Sequence, residues 1–198
     1  MLKPILFGAF ALASAALFQD APRPTCNRCS STYIPGSEIQ SYLNRVPASS
    51  AVSDQQVRAV DIGKAHVDIG VVYRGKLNPG ANQRPVAEHD QVSEVYHVIE
   101  GSATLMTGSQ LTECQRRPPD NNAVKLLNGP STDCTNIRNS TSNELKAGDV
   151  IVIPAGVGHW FTKIDDHIKY LMVRMDPDKV TPLKTDADSK TDLATTKN

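Results

Sequence analysis

Two segments far apart in the chain carry side chains able to grip a metal ion. The first runs His89-Asp90-Gln91-Val92-Ser93-Glu94 into Val95-Tyr96-His97-Val98-Ile99-Glu100-Gly101; the second is Gly148-Asp149-Val150-Ile151-Val152-Ile153-Pro154-Ala155-Gly156-Val157-Gly158-His159. Each sets an imidazole at the mouth of a short apolar strand, and the first adds a carboxylate. The set His89, Glu94 and His159 offers two imidazoles and one carboxylate. That composition suits a divalent transition metal (Fe, Mn, Ni, Cu or Zn), with positions left open for water, substrate or dioxygen. Without an ion, the same three residues would be hydrogen-bonded polar groups in an empty pocket.

Strand alternation decides which neighbours can join them. Residues 94, 96 and 98 share one face of a strand, and 95, 97 and 99 share the other. If Glu94 points inward, Tyr96 follows it and His97 points away. Tyr96 is therefore the expected catalytic or substrate-contacting phenol, with barrel packing as its plainer role. Glu88 alternates with His89 and is expected to face outward unless the backbone bulges. His66 and Asp68 share a face, either as a buried pair or as a wet one. His167 is expected in an exposed turn, and Trp160 and Phe161 divide between core and surface. Arg74 and Arg84 could meet an anionic substrate. No phosphate-binding glycine loop and no Gly-x-Ser-x-Gly elbow occur.

Positioning such a set requires many short strands. Residues 57–62, 66–73, 94–107, 149–154, 159–164 and 168–175 are rich in β-branched or aromatic side chains, and Gly-, Pro- and Asp-containing turns separate them. Gly101 marks a bend between two strand halves, and Asp165-Asp166 reads as a turn. Little helix is expected, which argues for an antiparallel sandwich or barrel. One short helix over 37–46 precedes it: Ser37 and Gln40 fit a capping box, Ile39, Tyr42, Leu43 and Val46 recur on one face, and Pro47 stops it. Residues 48–54 read as a polar linker. Residues 110–143 are polar and aperiodic and read as an inserted loop. Residues 177–198 hold few large apolar side chains and are expected to be a disordered tail.

The two histidine segments resemble the two motifs of the cupin superfamily, G-x5-H-x-H-x3,4-E-x6-G and G-x5-P-x-G-x2-H-x3-N. Gly148, Pro154, Gly156 and His159 match the second motif up to its final Asn, where Lys163 stands. Glu94 and Gly101 keep the E-x6-G spacing of the first, and His89 falls on its second His; Ala87 occupies the place of the first. The resemblance covers residues 55–176. It implies an all-β antiparallel jelly-roll barrel with metal ligands at His89, Glu94 and His159.

Charge and compartment narrow the setting. The 198 residues carry 21 basic and 21 acidic side chains, with no basic stripe, so nucleic acid is a poor partner. Residues 1–21 read as a secretory signal peptide: Lys3, an apolar stretch over 5–17, then Ala-x-Ala sites. The apolar run of about 14 residues is shorter than the roughly 20 needed to span a bilayer. The mature chain is then expected to be secreted or periplasmic and off the membrane, with residues 22–54 as an N-terminal extension. Export favours disulfides, and Cys114–Cys134 with Cys26–Cys29 is the preferred pairing over a four-cysteine zinc site. Asn139-Ser140-Thr141 is an N-glycosylation acceptor where the host has the machinery.

The leading functional expectation is a secreted, metal-binding protein acting as an oxygenase or oxidoreductase on a small molecule. A non-catalytic small-ligand-binding or storage role is the alternative, and a disulfide-stapled scaffold that binds a protein partner is a third. A homodimer is compatible with the chain.

Overall fold

A computed structural model describes residues 25–26, 29–47, 49–80 and 85–195. The proposed signal peptide and Arg84 lie outside the described residues. Helix α1 (Gly36–Asn44) is followed by strands β1 (Val52–Asp61), β2 (His66–Leu77), β3 (Val86–His89) and β4 (Ser93–Gly108). Next come β5 (Gln110–Thr112), β6 (Gln115–Arg116), a π-helical turn (Val124–Asn128), β7 (Ser131–Cys134), β8 (Asn136–Arg138) and β9 (Thr141–Lys146). The chain ends with β10 (Val150–Ile153), β11 (Gly158–Asp176) and α2 (Asp186–Ala194). The expected all-β antiparallel cupin architecture with a short helix is present.

Two long strands organise the sheet. β11 pairs with β4 along its length, from Gly158↔Gly108 to Met175↔Ser93, and with β2 from Ile164↔Leu77 to Asp176↔His66. β3 joins β11 at Ala87↔His159, and β10 and β9 flank the two halves of β4. Both long strands bend at one level. Gly101 has φ +83°, and a Cβ there would lie 1.9 Å from the His167 carbonyl oxygen, so only glycine fits. Opposite it, the pairing shifts register between Ile164 and Ile168. The bend expected at Gly101 is present within β4, whereas the turn expected at Asp165-Asp166 is a bulge in a β11 that runs on without interruption.

The core follows from alternation along these strands. Tyr96, Val98, Leu105, Phe161, Ile164, Ile168, Tyr170 and Met172 are buried together. Tyr96 stacks on Tyr170 with ring centroids 4.5 Å apart, a contact that adds to its area burial. A second cluster of Tyr42, Leu43, Val57 and Val71 seats α1 against β1 and β2.

Three expectations are corrected. Helix α1 begins after Pro35 and has no side-chain cap; Gln40 Nε2 donates to Asn44 Oδ1 in place of a capping box with Ser37. Proline already sets an extended entry and Ser37 lies inside the helix. The inserted segment 110–143 is not a structureless loop: β7 pairs with β3, β6 with β7, and β5 with β8. Its polar composition fits because these strands sit at a sheet edge and in a separate ribbon. The disulfide Cys114–Cys134 ties them, and Cys26–Cys29 is also bonded, so the expected pairing holds.

The tail is the third correction. Thr185 and Asp188 form a reciprocal capping box that starts α2. Ser189 is buried and donates to the Val57 carbonyl, while Arg58 reaches the Thr185 carbonyl (2.7 Å) and Ser189 Oγ (2.9 Å). Lys184 Nζ bonds the Gln56 carbonyl (2.6 Å) and Asp192 (2.8 Å). Polar contacts dock this segment, so its low hydrophobicity misleads. No helix among the described residues is long and apolar enough to cross a membrane.

Candidate metal centre

β3 ends at His89, β4 begins beside Glu94, and β11 begins beside His159. Glu94, Tyr96 and Val98 are buried while His97 is exposed, as alternation requires. The three candidate ligands converge: one ligand atom from each of His89, Glu94 and His159 lies within 4.8 Å of the others, and all three residues are buried. His89 Nε2 is 3.5 Å from Glu94 Oε1, and His159 Nε2 is 3.4 Å from Glu94 Oε2.

The ring partners fix the tautomers. His159 Nδ1 lies 3.2 Å from the Val157 carbonyl, which can only accept, so Nδ1 carries the hydrogen. His89 Nδ1 lies 2.9 Å from Ser131 Oγ, whose own hydrogen goes to the Gly129 carbonyl at 2.9 Å. Ser131 must therefore accept from His89. Burial pushes the His89 imidazole down to about 3 and the His159 imidazole below its ordinary value, so both rings are neutral. Each then turns an Nε2 lone pair toward Glu94.

Glu94 is ionised. Burial alone would raise its pKa, but the Arg174 guanidinium and the Tyr96 hydroxyl favour the charged form and hold it below the ordinary carboxylate value. Arg174 Nε donates to Oε1 at 3.3 Å, and Tyr96 Oη donates to Oε2 at 2.7 Å. Each oxygen keeps a lone pair for a further partner. Two neutral nitrogen lone pairs facing a carboxylate repel it, and a cation between them removes the repulsion. Each imidazole approaches a different Glu94 oxygen, at 3.5 and 3.4 Å, and one ligand atom from each residue lies within 4.8 Å of the others, close enough for one ion to be shared. The donor set and its orientation fit a divalent transition metal.

Beside His159 opens a cavity of about 600 Å³, lined in part by Arg74, Ala87, Arg117, Trp160 and Phe161. Ala87 sits directly across the ladder from His159, so its small side chain leaves room where a larger one would close the wall. Arg117 is paired with Asp133 at 2.6 Å. Arg74 instead donates to a neutral phenol, Tyr170 Oη at 3.0 Å, and lies over the Phe161 ring.

Tyr96 is buried and hydrogen-bonded to Glu94, so its phenol positions the carboxylate. Burial raises the phenol pKa, which keeps it a donor. Glu88 is covered, and burial raises its carboxyl pKa; β7 pairs beside it and excludes water, so it does not reach the surface. His66 and Asp68 are both buried and meet through Thr181, not directly. His167 is half-buried between Glu100 and Asp166 on a continuous strand. Ser131 and Arg174, both central here, were not singled out from the sequence. Arg174 could have been found: it shares the inward face of β11 with Ile168, Tyr170 and Met172, where a charge is anomalous.

The profile of the family described as Cupin matches residues 63–191. The chain belongs to the cupin family. No curated protein matches it. Among solved structures, this cupin is similar to a protein from Bacillus halodurans (16% identity, TM-score 0.40, 84% of this chain and 89% of the other). It is also similar to the DMSP lyase DddQ from Ruegeria pomeroyi (15%, 0.39, 70% and 53%). A recombinant oxalate oxidase in complex with glycolate is comparable (16%, 0.39, 66% and 54%). This cupin spans about half the length of those two enzymes' chains.

Proposed function

We propose that this chain is a secreted, metal-dependent cupin that takes a small organic anion into the cavity beside His159 and acts on it as an oxygenase or oxidoreductase. The observation that carries the reading is the convergence of buried His89, Glu94 and His159, with one ligand atom from each within 4.8 Å of the others. A divalent metal held there would supply a Lewis acid or redox centre with open coordination positions. The chain's own groups do the rest. Glu94 supplies the negative charge, and Tyr96 and Arg174 keep its oxygens turned inward. Ser131 and the Val157 carbonyl hold the imidazoles so that Nε2 faces the ion. Arg74, hydrogen-bonded to a phenol and in no salt bridge among the described residues, offers a cation at the cavity wall for an anionic substrate. Two disulfides fit an oxidising compartment, which supports export.

A second reading has its own support. The Arg174 cation already neutralises Glu94, so the cavity could hold an anion with no turnover. Elemental analysis of mature protein together with oxygen uptake against a panel of small carboxylates and phosphates separates the two. Metal near one equivalent, with uptake abolished by His159→Ala, supports the enzyme. Metal-free protein that is stabilised by an anion it leaves unchanged supports the binding module.

A further inference from the structure

Three protein donors leave a four-coordinate ion one ligand short, and the segment that follows the π-helical turn brings another polar group to the same place. Asn128, the last residue of that turn, is 93% buried by its 7% relative exposure. Its Nδ2 lies 2.7 Å from His89 Nε2 and 3.4 Å from His89 Nδ1. Closeness to both ring nitrogens sets the amide over the imidazole, beside Nε2 but off the axis of its lone pair. That axis stays open to a cation. The carboxamide oxygen, Oδ1, is buried with no hydrogen-bond partner, an arrangement that costs stability unless a ligand satisfies it.

The backbone enforces this placement. Gly129 has φ +63° and ψ −163°, a region essentially restricted to glycine. A Cβ on it would lie 2.3 Å from Val180 Cγ2. Two residues on, Ser131 accepts from His89 Nδ1. One short stretch thus holds the outer nitrogen of His89 and lays an amide beside the inner one. A single-turn π-helix is a frequent device at functional sites.

We propose that the Asn128 carboxamide oxygen is the fourth protein donor to the cation held by His89, Glu94 and His159. A half-turn about the terminal torsion exchanges Nδ2 for Oδ1 and gives the orphaned oxygen a partner. The inference rests on the metal reading of this site, and its test separates the two. Mn(II) affinity of the full chain is measured for the wild type and for Asn128→Ala, Asn128→Asp and His159→Ala, alongside the visible absorption of the Co(II)-loaded proteins. Asn128→Ala should bind Mn(II) at least tenfold more weakly and change the Co(II) bands, with apo-protein melting unchanged or raised. Asn128→Asp keeps an oxygen and loses the amide hydrogens, and should bind at least as tightly as wild type. If Asn128 only steadied the His89 ring by donation, Asn128→Asp would weaken binding as Asn128→Ala does, and the proposal falls. It also falls if Asn128→Ala binds like wild type while His159→Ala does not. Wild type that binds no Mn(II) or Co(II) overturns the metal reading itself.

Discussion

Arg174 stands directly across the β4–β11 ladder from Glu94, its Nε 3.3 Å from Glu94 Oε1 and its Nη2 2.5 Å from Asp54. The guanidinium is fully buried, and burial, which would lower its pKa, is outweighed by Asp54 and Glu94. One cation therefore holds two carboxylates at the base of the site. Removing one partner of a buried ion pair typically costs about 3–5 kcal/mol because the other charge is stranded. Arg174→Met should lose stability on that scale in urea denaturation, and Zn(II) should restore part of it by replacing the missing cation. A loss below about 1 kcal/mol would contradict this role.

Tyr96 should act through Glu94 and not on a substrate. Tyr96→Phe removes the 2.7 Å hydrogen bond to Oε2 and leaves the ring stack with Tyr170 intact. Partners behind a metal ligand commonly matter about 10- to 100-fold in affinity, so Zn(II) competition titrations should show a loss in that range. Unchanged Zn(II) affinity would show that the phenol does not position the ligand.

Acid should loosen the C-terminal segment. Asp176 accepts from the Val180 and Thr181 amides and from Thr181 Oγ1 (3.0, 2.9 and 2.7 Å). Burial would raise its pKa, but these bonds hold it below the ordinary 3.8. A lowered carboxyl stabilises the fold above its unfolded pKa, and that support fades as pH falls through the folded value. Asp68, on the other side of Thr181, is shifted upward by burial. Its contribution is full when protonated, below its unfolded pKa, and fades as pH rises through the raised value. Asp176→Asn should therefore destabilise more at pH 7 than at pH 3, and Asp68→Asn should stabilise at pH 7. Urea midpoints that respond equally at both pH values would refute the assignment.

The Cys114–Cys134 bridge closes a loop of 20 residues, for which chain entropy suggests about 3 kcal/mol. That loop carries Asn128 and Ser131. Replacing both cysteines with serine should lower the melting temperature and weaken Mn(II) binding together. A fall in melting temperature with unaltered Mn(II) binding would separate the staple from the site.

How much of this was written in the chain depends on the range of the interaction. Period-two alternation from Glu94 to Val98 turned Tyr96 inward and His97 outward without any tertiary knowledge. The Gly148-to-His159 spacing placed the second imidazole at the start of its strand. The bend at Gly101 is legible from the glycine itself, but the continuity of β11 through 165–167 is not, because that bulge interlocks with Gly101 only across β4 and β11. Asn128 and Ser131 lie in a stretch with no period, and their part is set by pairing with a strand some forty residues earlier. The tail escaped for another reason. Thr185 and Asp188 spell a helix start inside a stretch whose composition points to disorder.

His89, Glu94 and His159 should share one divalent cation. Anomalous scattering from a crystal soaked in Mn(II) tests it most directly. One strong peak is expected at about 2.0–2.3 Å from His89 Nε2, His159 Nε2 and a Glu94 oxygen, lost in His159→Ala crystals. No peak among these three side chains, or one that survives the loss of His159, would contradict it.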